Sequence, residues 1–209
     1  MPVKSDPRPY RSPVRDAAAD ETRARIIAAA RTLLGGGKDL PAFSLDGVAR
    51  QAGVTRLTVY NQFESKRGLL EAVFDDMAQR GGLFELQAVF AEADADQALR
   101  RFVSVFCHFW ATHGAVMPKF HAVIKLDDEI ATSLNERAER RRPALAVLVK
   151  KLMPGTGKAN ADLIDVLFAL TSFEMFQALS VRNRSAKSVE TLVYSLVKQA
   201  VDRFRKSEG

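Results

Sequence analysis

Apolar residues recur at spacings of three and four along most of the chain, and no stretch of five or more alternates apolar with polar as a half-buried strand does. The pattern predicts an all-α protein. A first helix is expected from about Asp20 to Leu34, with Ile27, Ala30 and Leu34 on one stripe and a stop at Gly35, Gly36 and Gly37. Ser44 then opens a shorter helix, because its hydroxyl can accept from a free first-turn amide while Phe43 and Val48 flank it as a hydrophobic staple. Gly53 follows Ala52 at the end of that helix, where a left-handed backbone costs glycine little. Val54, Thr55 and Val59 repeat the same grammar of staple, cap and partner, so a third helix starts at Thr55.

Two short helices joined by so few residues around a glycine must cross at a large angle, which is the helix-turn-helix arrangement. The second helix of such a pair enters a major groove with its N-terminal residues first. Here it reads TRLTVYNQF, in which Arg56, Thr58, Tyr60, Asn61 and Gln62 supply donors and acceptors. A fourth helix opens at Ser65 with Lys66 and Arg67 in its first turn. Cations beside free helix amides are unfavourable by up to about 1 kcal/mol each, so an offsetting anion is expected there. A DNA phosphate against Lys66 fits that need, and plain surface charge is the other reading.

The words ARIIAAARTLL and FSLDGVARQAGVTRLTVYNQFESKRGLLEAVF, within residues 22–83, resemble the DNA-binding domain of the TetR (tetracycline-repressor-like) family of transcriptional regulators. The resemblance covers the first third of the chain. It implies that Ser44, Thr55, Tyr60 and Lys66 touch phosphates, and that Arg56, Thr58 and Asn61 face base edges. Phosphate contacts set affinity and register, whereas only base-edge contacts specify sequence. Two positions depart from the family pattern: Leu57 stands where glycine is common and Gln62 where histidine is common, so a bulkier first turn tilts the helix or reads a thymine methyl.

The architecture expected is an N-terminal three-helix DNA-binding domain over residues 17–82, followed by a larger helical regulatory and dimerisation domain over 83–209. Residues 1–16 hold four of the eight prolines and several cations, and read as a flexible basic arm that either idles or lies along a DNA phosphate track. In the second domain Leu99, Phe102, Phe106, Phe109, Trp110 and His113 form one broad face, which is core or, given the effector cavity the family resemblance implies, a pocket wall. Phe120, Ile124, Phe168 and Phe176 join it, and Glu174 is placed to meet a cation or to lie on a solvated face. Polar candidates for the same cavity are His121, Thr171 and Gln177. The helices at 161–183 and 187–206 are apolar on so many sides that a second copy is expected to cover one of them, giving a homodimer that reads a palindrome.

Composition narrows the alternatives. The 209 residues are 47% apolar and 27% charged, within the range of chains that fold. The net charge of +6 suits a nucleic-acid or anionic-membrane partner. Neither a long apolar run nor a signal peptide is read, and the lone Cys107 suits a reducing cytoplasm. No cofactor is expected: PGTGKAN at 154–160 lacks the first glycine and the magnesium-binding hydroxyl of a phosphate loop, having Leu152 and Ala159 there, and GGGKD at 35–39 fails similarly. His108, His113 and His121, spaced by five and eight, do not share one helix face, so no metal site is read. The tandem Arg140, Arg141 and Arg142 reads as a solvated face, beside a kink or break at Pro143. Without paired carboxylates or an activated nucleophile, an enzyme is not expected. The chain is identified as a regulator of the TetR type, a repressor released by a small hydrophobic or aromatic effector; the alternatives are an activator or architectural DNA-binding protein without an effector, and a basic helical protein of membrane surfaces.

Overall fold

The computed structural model describes residues 13–36, 43–154 and 157–207, and among these every regular element is helical. The first part comprises α1 (Pro13–Gly35), α2 (Leu45–Ala52), α3 (Arg56–Phe63) and α4 (Lys66–Arg80). α1 begins seven residues before the expected Asp20, since proline's fixed φ suits a first helical turn. The expected arm therefore lies outside the described residues as far as position 12, and its last four residues belong to α1. Ile26, Ala30 and Leu34 of α1 are buried in the core formed with Val48, Val59, Phe63 and Leu70, and Ile27 packs half-buried against it.

The caps anticipated from sequence are present. Gly47 N–H donates to Ser44 Oγ at 3.0 Å, Thr58 N–H to Thr55 Oγ1 at 3.1 Å, and Gly68 N–H to Ser65 Oγ at 3.0 Å. Gly53 takes a left-handed φ of 65°, and its amide donates back to the end of α2. Gly68 has a different reason to be glycine: a Cβ there would collide with the Phe63 carbonyl oxygen, so its absence lets the start of α4 press against the end of α3.

The second part runs through a 3₁₀ turn (Leu83–Glu85), α5 (Leu86–Ala91), α6 (Ala95–His113), α7 (Met117–Ile124), α8 (Asp128–Glu139), α9 (Arg141–Leu152), α10 (Lys158–Leu170), α11 (Phe173–Leu179) and α12 (Ala186–Ser207). α6 is its centre, packed by α5, α9, α11 and α12 and touching α4. Leu99, Phe102, Phe106, Phe109 and Trp110 are buried along it. The expected break near Pro143 falls three residues earlier, at Arg140, which puts the proline in the first turn of α9 where it costs no hydrogen bond. The single helix expected over 161–183 is two, α10 and α11. Ser172 caps the second by accepting from Met175 N–H at 3.2 Å, and the Thr171 carbonyl accepts from Trp110 Nε1 at 3.0 Å instead of continuing the ladder.

α4 joins the two parts. His113, 4% exposed at the end of α6, donates from Nε2 to the Met77 carbonyl at 2.8 Å, which fixes its tautomer. Gly81 permits that approach, since a Cβ would lie 2.9 Å from His113 Nε2. Asp76 of α4 accepts from Arg31 of α1 at 2.7 Å and from Arg80 at 2.9 Å. Burial alone would raise the Asp76 pKa, but these two guanidinium groups outweigh it and hold the carboxyl below its usual range. Burial pushes the His113 pKa below its usual 6.5, more than the Met77 bond raises it.

Two outcomes are expected. Gly68→Ala should lower stability by about 1–3 kcal/mol in chemical denaturation, since the neighbour it strikes is backbone and cannot swing aside. His113 stabilises the fold fully above its unfolded pKa of 6.5, and that contribution is lost as pH falls from there through the lower folded value. Melting temperature should therefore drop between about pH 7.5 and 5.5, and His113→Asn should flatten the slope.

Candidate nucleic-acid interface and ligand cavity

α3 is held by two side chains. Val59 and Phe63 are buried, Thr58 and Gln62 sit at the flanks, and Arg56, Leu57, Tyr60 and Asn61 occupy the outward face. Leu57 is 66% exposed and Tyr60 56%, values that no packing role explains. The position where family likeness suggested only a departure, Leu57, thus lies in the middle of the presented surface. Thr58 is less available than Arg56 or Asn61, because its hydroxyl shares a 2.8 Å hydrogen bond with the Thr55 hydroxyl.

The remaining predicted contacts gather beside this face. Arg56 reaches Asp46 of α2 at 3.5 Å, a pairing in which both groups are largely exposed and so worth little. Lys66 Nζ stands 5.9 Å from the centre of the Phe43 ring, which brings the N-terminus of α4 beside Ser44 at the N-terminus of α2. Three capped helix N-termini, at Ser44, Thr55 and Ser65, therefore belong to one compact unit, each with backbone amides suited to an anion. Arg67 is engaged elsewhere: it pairs with Glu71 at 3.8 Å and with Glu129 of α8. Its unfavourable place in a first helical turn is offset by those carboxylates.

Sequence reasoning missed Arg23. From α1 it donates through Nη1 to the Gln62 carbonyl at 2.7 Å and lies 4.3 Å over the Phe63 ring, tying down the end of α3. Only a contact spanning 39 residues reveals it.

The second part encloses a cavity of about 640 Å³, a size that takes small organic ligands. Of the residues named from sequence, Phe106, Phe109, Trp110, Phe120, Phe168 and Glu174 line it, joined by Phe74 of α4 and Phe173 of α11. Phe102, His113 and Phe176 do not. Phe102 is fully buried and packs on Phe106 at 4.8 Å, His113 is committed to Met77, and Phe176 is buried outside the cavity wall. Of the polar candidates His121 lines the cavity while Thr171 and Gln177 do not. His121 Nδ1 faces Glu174 Oε1 at 3.5 Å, and burial holds its pKa below the usual value despite that carboxylate.

Arg141 corrects the reading of a solvated triplet. Its Nη1 and Nη2 donate to the carbonyls of Thr171 and Phe168 at 3.1 and 3.0 Å, and it lies 4.1 Å over the Phe168 ring. Burial brings its pKa down to about 10, which still leaves it charged. Arg142 bridges Glu139 and Asp165. A smaller cavity of about 330 Å³ is lined by Arg101, Cys107, His108 and Glu190, where burial pushes the thiol up to about 12 and leaves it unreactive. Among the described residues no cluster of histidine, cysteine and carboxylate is arranged to hold a metal, and no helix is long and apolar enough to cross a membrane.

Residues 26–73 match the family model of bacterial regulatory proteins of the tetR family. A stretch of 97 residues is 32% identical to the HTH-type transcriptional regulator EthR of Mycolicibacterium smegmatis, covering 46% of this chain and 44% of that protein's length. The fold is similar to that of a tetR-family transcriptional regulator from Mesorhizobium loti, with a TM-score of 0.60 at 20% identity over 89% of this chain and 96% of the other. It is also similar to that of a transcriptional regulator from Aquifex aeolicus, with a TM-score of 0.63 at 14% identity over 85% of this chain and 98% of the other. The helix-turn-helix segment of this chain is therefore similar to that of bacterial regulatory proteins of the tetR family, and its all-helical fold is similar to those of the two solved regulators along most of its length.

Proposed function

We propose that the protein is a homodimeric repressor that binds a palindromic operator through α3 and leaves it when a small hydrophobic or aromatic effector fills the cavity. The observation that carries the DNA-binding reading is the outward face of α3. A helix of eight residues held by two buried side chains has no structural use for an exposed leucine, tyrosine, arginine and asparagine on one side. In a major groove each has a partner: arginine pairs with guanine, asparagine with adenine, and leucine packs on a thymine methyl. Ser44, Thr55, Tyr60 and Lys66 then serve the phosphates on either side.

Dimerisation is supported by the division of α12 into two stripes. Val189, Val193, Val197 and Val201 are buried inward, while Leu192 and Leu196 on the flank of that stripe remain 37% and 39% exposed. A second copy related by a two-fold axis would cover that face with its own.

A physical route joins cavity and DNA. Along α4, Arg67, Glu71 and Asp75 are spaced by four; along α8, so are Glu129, Ser133 and Arg137. Arg67 meets Glu129, Glu71 meets Ser133 and Arg137, and Asp75 meets Arg137. α8 contributes Leu134 and Ala138 to the cavity wall and α4 contributes Phe74. An occupant that displaces α8 therefore moves α4 with it, and α4 sets the position of α3.

Anisotropy titrations on a duplex selected from a random pool test the assignment. Lys66→Ala should weaken binding to all duplexes alike and reduce the salt slope by about one unit. Arg56→Ala and Leu57→Ala should cost about 1–3 kcal/mol on the selected duplex and relax preference at particular base pairs. Unchanged sequence preference in both would remove α3 from the recognition role. The double variant Leu192→Glu, Leu196→Glu should sediment as a monomer; a dimer that survives it places the interface elsewhere.

A further inference from the structure

We propose that the cavity takes an amphipathic monoanion, with a carboxylate set against the Arg141 guanidinium and an apolar body lying along Phe109, Trp110, Phe120 and Phe173. The assignment rests on the effector reading above and specifies the ligand's chemistry.

Arg141 differs from the arginines around it, of which Arg140 is exposed to water and the other two are paired. Arg137 is paired with Glu71 and Asp75, and Arg142 with Glu139 and Asp165. Arg141 has no carboxylate within ion-pair distance among the described residues, yet its guanidinium lies against the Phe168 and Phe106 rings at 4.1 and 5.4 Å. A charge withdrawn from water into apolar walls is costly unless it is paired. Part of the offset comes from the carbonyls of Phe168 and Thr171 at the negative end of α10. A role confined to capping α10 needs only those two bonds. It leaves the buried Nε–H with no acceptor, and a guanidinium carries five N–H donors in a fork matched to a carboxylate.

The charge balance of the lining points the same way. Lys125, Arg137, Arg140 and Arg141 stand against Glu139 and Glu174. Glu139 is held by Arg142 at 2.6 Å, and Glu174 is 72% exposed and faces His121. The carboxylate once expected to meet a cation is therefore hydrated and engaged, whereas the deeper charge is positive. Aromatic rings fill the rest of the wall, and they suit an alkyl or aryl body with a single polar end.

Trp110 is the chain's single tryptophan and lies in the cavity wall, so its emission reports occupancy in the full-length protein. Decanoate, 1-decanol and decylammonium share one apolar chain and differ in head group. Decanoate should bind about tenfold or more tightly than either of the others, as a charge-assisted hydrogen bond provides. Arg141→Met should remove the preference for decanoate over 1-decanol, while Arg141→Lys keeps part of it. If Arg141→Met does not fold, the comparison of the three probes on the unaltered protein decides alone. Equal binding of decanoate and 1-decanol, or preference for decylammonium, overturns the anion assignment and leaves the cavity as an effector site. If none of the three changes Trp110 emission or raises the melting temperature, the effector reading itself falls and this assignment with it.

Discussion

The structure turns on a single constraint: an eight-residue helix, too short to persist alone in water, has to stand at the surface with its polar and apolar tips outward. Val59 and Phe63 are its only buried anchors. Stability therefore has to come from both ends. Thr55 caps the start through its side-chain oxygen, Arg23 holds the Gln62 carbonyl from α1, and Gly68 lets α4 close against Phe63. α1, α2 and α4 are best understood as the frame that these ties require.

In the proposed function, the same frame links the cavity to the DNA-facing helix. α4 is both a wall of the helix-turn-helix core, through Leu69 and Leu70, and a wall of the cavity, through Phe74. Phe74 lies near both Phe109 and Phe120, at 6.3 and 6.2 Å between ring centres. With the four-residue ladder to α8 on one side and the His113–Met77 bond on another, α4 moves with the second part as one piece. In the proposed homodimer, rotation of that piece in each subunit changes the separation of the two α3 helices without disturbing either, which is a geometric form of coupling.

Local grammar was legible in the sequence because each of its signals acts within four residues. Ser44, Thr55 and Ser65 announce three caps and Gly53 a corner, and all four serve those roles. The aromatic stripe of α6 was also legible as a face, but its division between cavity and core was not: Phe102 and Phe106 are one turn apart and only the second reaches the cavity. That division depends on which helix passes over each position. Arg23, Gly68 and the α4–α8 ladder were invisible for the same reason, since their partners are remote in the chain or make contact only through the crossing of two helices. The arginine triplet misled because its adjacent residues face different directions, and the Arg141 guanidinium turns to the carbonyls of Phe168 and Thr171.

Methylation interference on a selected duplex tests the central claim most directly, because dimethyl sulfate marks guanine N7 in the major groove and adenine N3 in the minor groove. If α3 reads the wide groove, guanine N7 methylation should block binding in two half-sites about one helical turn apart, related by a dyad. Interference confined to adenine N3, or a single unpaired block, would contradict the account.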